Sequence, residues 1–226
     1  MKIRGFQKTS LIDYPGNISS IIFISGCNFK CPFCYNPEIV NDEGEEISQA
    51  FIFEFLDKRK KVLDGVCITG GEPTMHKELP VLIKKIKGKG FKVKLDTNGT
   101  NPEMLKELVD KKLVDYIAMD IKSDFENYDE VSGMKVDIGK IKKSIKIIKE
   151  SNVDYEFRTT LVKEFHDKES IIKICKEIQG SRYFLQNFFN APKLLSEKNF
   201  TPFNKKELEE IKKACSKYVH TVIRES

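Results

Sequence analysis

The sequence predicts an α/β fold whose strands run parallel, and three observations lead there. Six short runs rich in β-branched and aromatic residues alternate with six longer stretches of 3.6-residue apolar period, the pattern of βα units in series. Serial units imply parallel strands joined by right-handed crossovers, in an open doubly wound sheet or a barrel-like one. With 226 residues and six units, the chain falls short of the eight units of a closed barrel.

The elements follow in order. Lys2 to Asn17 is expected to form an irregular or hairpin lead-in. The strands are expected at Ser20 to Ser25, Val66 to Thr69, Phe91 to Thr97, Tyr116 to Ile121, Tyr155 to Thr160 and Tyr183 to Phe188. The helices are expected at Ser48 to Leu63, Glu78 to Lys89, Pro102 to Lys112, Ile138 to Ser151, Lys168 to Ile178 and Lys205 to Tyr218. Asn101 before Pro102 reads as an N-cap followed by proline at the first helical position, and Gly180 follows a helix ending near Ile178. Phe189 to Phe203, apolar and aromatic, is long for a connection. It reads either as a cover over the sheet edge or as a receiver for a partner's loop. No linker or repeat divides the chain, so residues 1–226 are expected to form one domain, with 1–17 as its lead-in.

Composition narrows the function classes. With 40% hydrophobic and 32% charged residues, a packed core is expected and a disordered tail is not. The longest apolar runs fall far short of a bilayer span, and the charged N-terminus shows no secretory h-region, so a cytoplasmic location without membrane insertion is expected. Net charge is +5, but only five basic residues are arginines and most lysines neighbour acidic residues on helical stretches. That pattern is a solvated helix face rather than a nucleic-acid surface.

Polar or glycine-rich residues follow the first four strands: Cys27 to Cys34, then Gly70 to Pro73, then Asp96 to Gly99, then Asp120 with Lys122. Loops at the carboxyl ends of parallel strands converge on the ligand site. Cys27, Cys31 and Cys34 crowd into one loop, whereas Cys67, Cys175 and Cys215 stand alone and read as small buried hydrophobes. Pro32 and Gly26 oppose a continuous helix that would merely align the trio on one face, and no neighbouring Cys or His completes a structural zinc site. A cubane iron-sulfur cluster with one iron left open fits better.

The residues that carry this reading also carry a resemblance. GFQKTSLIDYPG, GCNFKCPFCYNPE, GGEP, DTNG and MDIK, between Gly5 and Lys122, resemble the radical S-adenosylmethionine (SAM) superfamily. Within it they resemble the small glycyl-radical-enzyme activases, such as those of pyruvate formate-lyase and anaerobic ribonucleotide reductase. The resemblance implies an open partial (β/α)6 barrel, the radical SAM core. It implies that Cys27, Cys31 and Cys34 hold a 4Fe-4S cluster and that SAM chelates the open iron. It sets Phe33 against the adenine, and the Gly70, Gly71, Glu72 and Pro73 backbone against the methionine amino group. It sets Asp96, Thr97 and Asp120 near the SAM carboxylate and a monovalent cation, with Lys122 paired to that carboxylate. Arg158 is a candidate SAM contact from the fifth strand, with a snorkelling surface arginine as the alternative. His166 and Gln186 are weaker candidates for the pocket edge. Tyr35 follows the third cysteine where pyruvate formate-lyase activases commonly have His.

The implied chemistry is reductive cleavage of SAM, with the electron from a flavodoxin or ferredoxin, and transfer of a hydrogen from a glycine of a glycyl radical enzyme. No side chain is expected to act as acid or base. The alternative is a small-molecule enzyme of the 7-carboxy-7-deazaguanine synthase type, although Asn36-Pro37 departs from the continuation usual there.

Overall fold

The structure is a computed structural model that describes residues 1–224. The chain runs β1 (Ile3–Ser10), β2 (Ser19–Ile24), α1 (Pro37–Val40), α2 (Gln49–Arg59), β3 (Gly65–Gly70), a short 3₁₀ turn (Pro73–Met75), α3 (Leu79–Lys87) and β4 (Lys92–Thr97). It continues α4 (Pro102–Asp110), β5 (Tyr116–Asp120), α5 (Tyr128–Ser132), α6 (Ile138–Glu150), β6 (Asp154–Leu161), α7 (Lys168–Glu177), β7 (Arg182–Asn187), α8 (Lys205–Cys215) and β8 (His220–Arg224).

All eight strands join one sheet in the order β1-β2-β3-β4-β5-β6-β7-β8, so β1 and β8 are its edges. β1 pairs antiparallel with β2, with register shifts along it, and every later pair is parallel. A strand order that never reverses puts successive right-handed crossovers on one face of the sheet. Val66, Ile68, Val93, Leu95, Ile117, Met119 and Phe157 meet the helices there in one apolar cluster. The alternate residues Cys67, Lys94, Ala118 and Glu156 point to the other face, and all are buried. Burial on a face without helices means that the sheet curls over it: this is an open partial barrel.

The expected six strands and six helices all form, with small shifts at their ends. The N-cap read at Asn101 is real, for its side chain accepts the Met104 N–H at 3.2 Å. Two strands go beyond the expected six. The lead-in takes the hairpin alternative as β1, and His220–Arg224 adds a further parallel strand beyond α8. The short helices α1 and α5 lie in segments to which the sequence pattern assigned no element.

The Phe189 to Phe203 segment crosses from the end of β7 to the cysteine loop after β2 and buries Phe200 there, while Phe189 stays exposed. The Leu195 N–H donates to the Cys34 carbonyl at 3.1 Å and the Ser196 N–H to the Pro32 carbonyl at 3.0 Å. Phe200 packs against Phe33, Phe165 and Phe188.

Candidate functional site

The loops that follow β2, β3, β4 and β5 surround one cavity of about 870 Å³ including its open mouth. Cys27, Cys31, Phe33, Cys34, Tyr35, Gly70, Gly71, Glu72, Asp96, Thr97, Asp120 and Lys122 line it, so most residues singled out in the sequence converge there. Pro73, Arg158, His166 and Gln186 are not among its lining residues. Asn36, Thr69, Asn98 and Thr160 line it as well, though sequence reasoning assigned none of them a role in the site and read Thr160 only as a strand end. Strand register was the missing signal, since only pairing shows that β6 ends beside β5 and carries Thr160 to the rim.

The three cysteines are free thiols. Burial pushes the Cys27 thiol up to about 12 and the Cys31 thiol up to about 11, with Lys122 pulling against it in both. These sulfurs carry protons until a metal displaces them. Among the described residues, no three Cys, His, Asp or Glu side chains converge to hold a single ion. A 4Fe-4S cluster asks for something wider, because each thiolate binds a different iron. Three thiols on one loop that line a single cavity fit that demand. The Phe29 N–H also donates to Cys27 Sγ at 3.4 Å, a bond that suits a thiolate.

Glu72 is fully buried, and its side chain faces the scaffold rather than a ligand. One carboxylate oxygen accepts from the Thr74 N–H (3.0 Å), the Thr74 hydroxyl and the Thr97 hydroxyl (2.8 Å), while the other accepts from the Asn98 N–H (2.6 Å). The glycine-rich loop is thereby latched to the end of β4. Burial holds the Glu72 carboxyl above its ordinary value even against those donors. The two glycines have steric causes. A Cβ on Gly71 would sit 1.9 Å from the Gly26 carbonyl oxygen, and Gly70, at φ +118°, would press one 2.4 Å from the Ile24 oxygen. Gly71 therefore lets the glycine-rich loop lie directly on the cysteine loop.

Arg158 does not snorkel to the surface. Strand pairing sets it opposite Asp120, and its guanidinium donates to Asp120 at 2.7 Å and to Asp96 at 3.3 Å. Lys94 pairs with Asp96 from below, and Lys122 with Asp120 at 3.1 Å. Burial pushes both carboxyls up, but Arg158 first, then Lys94 for Asp96 and Lys122 for Asp120, outweighs it and holds them below the usual range. The carboxylates that the resemblance set beside a monovalent cation are already bridged by a guanidinium.

Phe33 is buried and packs its ring against Phe165 and Phe200. Tyr35 lines the cavity but also anchors the cover, with its ring stacked 4.4 Å from that of Phe189 and its hydroxyl accepting the Phe189 N–H at 3.0 Å. His166 is buried away from the cavity, bonding the Lys122 carbonyl at 2.8 Å and the Val162 N–H at 3.1 Å. Gln186 lies in β7 opposite Thr160 and Arg224.

A partial barrel whose first parallel strand delivers three cysteines, and whose second delivers a glycine-rich loop against them, defines a radical SAM protein. The chain belongs to the Radical SAM superfamily, whose family model matches residues 21–178. It is 39% identical to a Methanocaldococcus jannaschii protein provisionally named a glycyl-radical enzyme activating enzyme, over 98% of this chain and 94% of that one. It is 28% identical to a pyruvate formate-lyase-activating enzyme of Clostridium pasteurianum, over 80% of this chain and 77% of that one. The crystal structure of Streptococcus suis SuiB bound to its precursor peptide shares the fold, with a TM-score of 0.70 at 18% identity over 90% of this chain and 48% of that one. Membership implies a 4Fe-4S cluster and SAM. No helix among the described residues is long and apolar enough to cross a membrane.

Proposed function

We propose that this protein is a glycyl-radical-enzyme activating oxidoreductase: it cleaves SAM reductively and takes a hydrogen atom from a glycine of a partner enzyme. Cys27, Cys31 and Cys34 hold the cluster, which supplies the electron for the cleavage when a flavodoxin or ferredoxin has reduced it. The remaining work of the chain is binding, orientation and exclusion of water. Gly70 and Gly71 present backbone to the methionine end of SAM, and Glu72 and Pro73 hold that loop in shape. Lys122 and Arg158 set positive charge where the SAM carboxylate would lie, and a monovalent cation held there beside Thr97 would compete with them for Asp96 and Asp120. Phe33 and Tyr35 form the aromatic side of the pocket. The partner is a protein, not a nucleic acid.

The observation that carries this reading is the filled barrel interior. Under the cavity, Lys94, Asp96, Arg158 and Asp120 form a chain of ion pairs. Deeper still, Glu156 takes both Arg224 guanidinium nitrogens at 3.0 Å and the Tyr116 hydroxyl at 2.9 Å. Side chains occupy the space where a small substrate sunk in a barrel would lie. A hydrogen donor is then met at the open cavity rather than in the barrel, where a loop of another protein can reach. M. jannaschii and C. pasteurianum relatives named as activating enzymes support the same reading.

The test is anaerobic incubation of reduced protein and SAM with candidate glycyl radical enzymes deuterated at glycine Cα. The expected result is deuterium in 5′-deoxyadenosine and a glycyl radical in the electron paramagnetic resonance (EPR) spectrum of the partner, a doublet with unlabelled glycine that collapses when the hydrogen left on Cα is deuterium. Label arriving only from a small molecule, with no protein radical, would favour the deazaguanine-type alternative.

A further inference from the structure

Between Cys27 and Phe29 stands Asn28, which does not line the cavity. Its side chain belongs to a closed ring of three hydrogen bonds. The Asn28 amide donates to the Thr100 hydroxyl at 2.8 Å, that hydroxyl donates to the Asn98 amide oxygen at 2.7 Å, and the Asn98 amide donates back to the Asn28 amide oxygen at 2.8 Å. The Asn98 N–H is in turn the donor to Glu72 at 2.6 Å. The ring therefore ties the cysteine loop to the loop after β4, and through Glu72 to the glycine-rich loop.

A turn asparagine would bond its own backbone two residues on. Asn28 instead bonds residues 70 and 72 positions away, and it uses both halves of its amide. Only a side chain that donates and accepts at once closes such a ring. Ring closure polarises each bond and stiffens the whole. The next backbone N–H along, that of Phe29, is the one that meets Cys27 Sγ.

We infer that Asn28 is a positioning residue: pinned by Asn98 and Thr100, it holds the Phe29 N–H on Cys27 Sγ and so sets how readily the iron-sulfur cluster is reduced. This rests on the reading of the three cysteines as cluster ligands. Hydrogen bonds to ligand sulfur raise a cluster's potential because they stabilise the more negative, reduced state. Releasing the ring lets the peptide turn and weakens that bond. The potential then moves to more negative values, with the thiolates themselves untouched.

The experiment compares wild type, Asn28→Ala, Thr100→Val and Thr100→Ser after anaerobic reconstitution, reading iron content and the midpoint potential by EPR-monitored titration. The expected result is about four irons in each, as one cubane requires. Asn28→Ala and Thr100→Val should titrate at more negative potential, and Thr100→Ser, which keeps the hydroxyl, at the wild-type value. Thr100 lies outside the cysteine loop, so Thr100→Val carries the test if Asn28→Ala does not fold. A purely structural role would lower the melting temperature and leave the potential in place. Full iron content with an unmoved potential in Asn28→Ala and Thr100→Val overturns the inference alone. Wild-type protein that takes up no iron through Cys27, Cys31 and Cys34 overturns the cluster reading and the inference with it.

Discussion

Removing the Glu72 latch should cost more stability than almost any other single change in the rim of the cavity. In Glu72→Ala the backbone N–H groups of Thr74 and Asn98 lose their acceptor, whereas the Thr74 and Thr97 hydroxyls can rotate to new partners. Each orphaned buried donor costs about 1–3 kcal/mol, so the pair costs roughly 2–6 kcal/mol. Glu72→Gln keeps one acceptor oxygen. Placed toward Asn98 it leaves only the Thr74 N–H orphaned, for roughly 1–3 kcal/mol. The acid dependence follows from burial, which raises this carboxyl above its ordinary 4.5 in the folded protein. A raised carboxyl stabilises the fold while protonated, fully so below 4.5, and loses that contribution as pH rises through the folded value. The Gln variant cannot titrate, so its deficit against wild type should be largest below pH 4.5 and shrink as pH rises through the folded value. Urea unfolding of the cluster-free, reduced protein at both ends of that range measures this. If Glu72→Ala unfolds within about 0.5 kcal/mol of wild type, the ordinary span of surface substitutions, the latch argument is wrong.

Four further outcomes are expected. Gly71→Ala should weaken SAM binding by about tenfold or more, roughly 1.4 kcal/mol, because its Cβ collides with the Gly26 oxygen 1.9 Å away and parts the two loops; calorimetric titration with an unchanged Kd would refute this. Arg158→Met should move acid unfolding toward neutral pH: Asp96 and Asp120 are held below 3.8, so their contribution is present above that value and lost on acidification, and without the guanidinium it is lost sooner. Alanine at Cys27, Cys31 or Cys34 should abolish iron uptake, while alanine at Cys67, Cys175 or Cys215 leaves it intact in metal analysis. Tyr35→Ala should speed proteolysis within residues 189–200, because each lost ring pairing with Phe188 or Phe189 is worth about 0.5–1.5 kcal/mol, and Tyr35→Phe, which keeps the stack, should be cleaved more slowly than Tyr35→Ala.

The periodic part of this fold was legible because each βα unit carries its own signal. Leu79, Leu82, Ile83 and Ile86 recur at helical spacing and are all buried on α3. What escaped lacks such a period. β8 is five residues long, at an edge, and starts with an exposed His220; α1 and α5 are a single turn or little more. In the site, spacing announced the cysteine trio, and glycines announced a close approach. The direction of Arg158 could not be read, because whether a strand arginine enters the barrel depends on register against β5, and that register is a long-range fact. The bridge between Asn28 and Asn98 could not be read either, since asparagine suits a turn whether or not it also joins two loops.

The cover that joins the end of β7 to the cysteine loop also dictates an order of events. The carbonyls of Pro32 and Cys34 find their partners at Ser196 and Leu195, so the loop after β2 is completed only by the segment that follows β7. Contacts so far apart in sequence close slowly, after the local βα units have formed. Until then the three thiols sit on a loop without its outer wall. A nascent chain halted before residue 189 should therefore present the three cysteines to alkylating reagents more readily than the full chain does, while already holding most of its sheet.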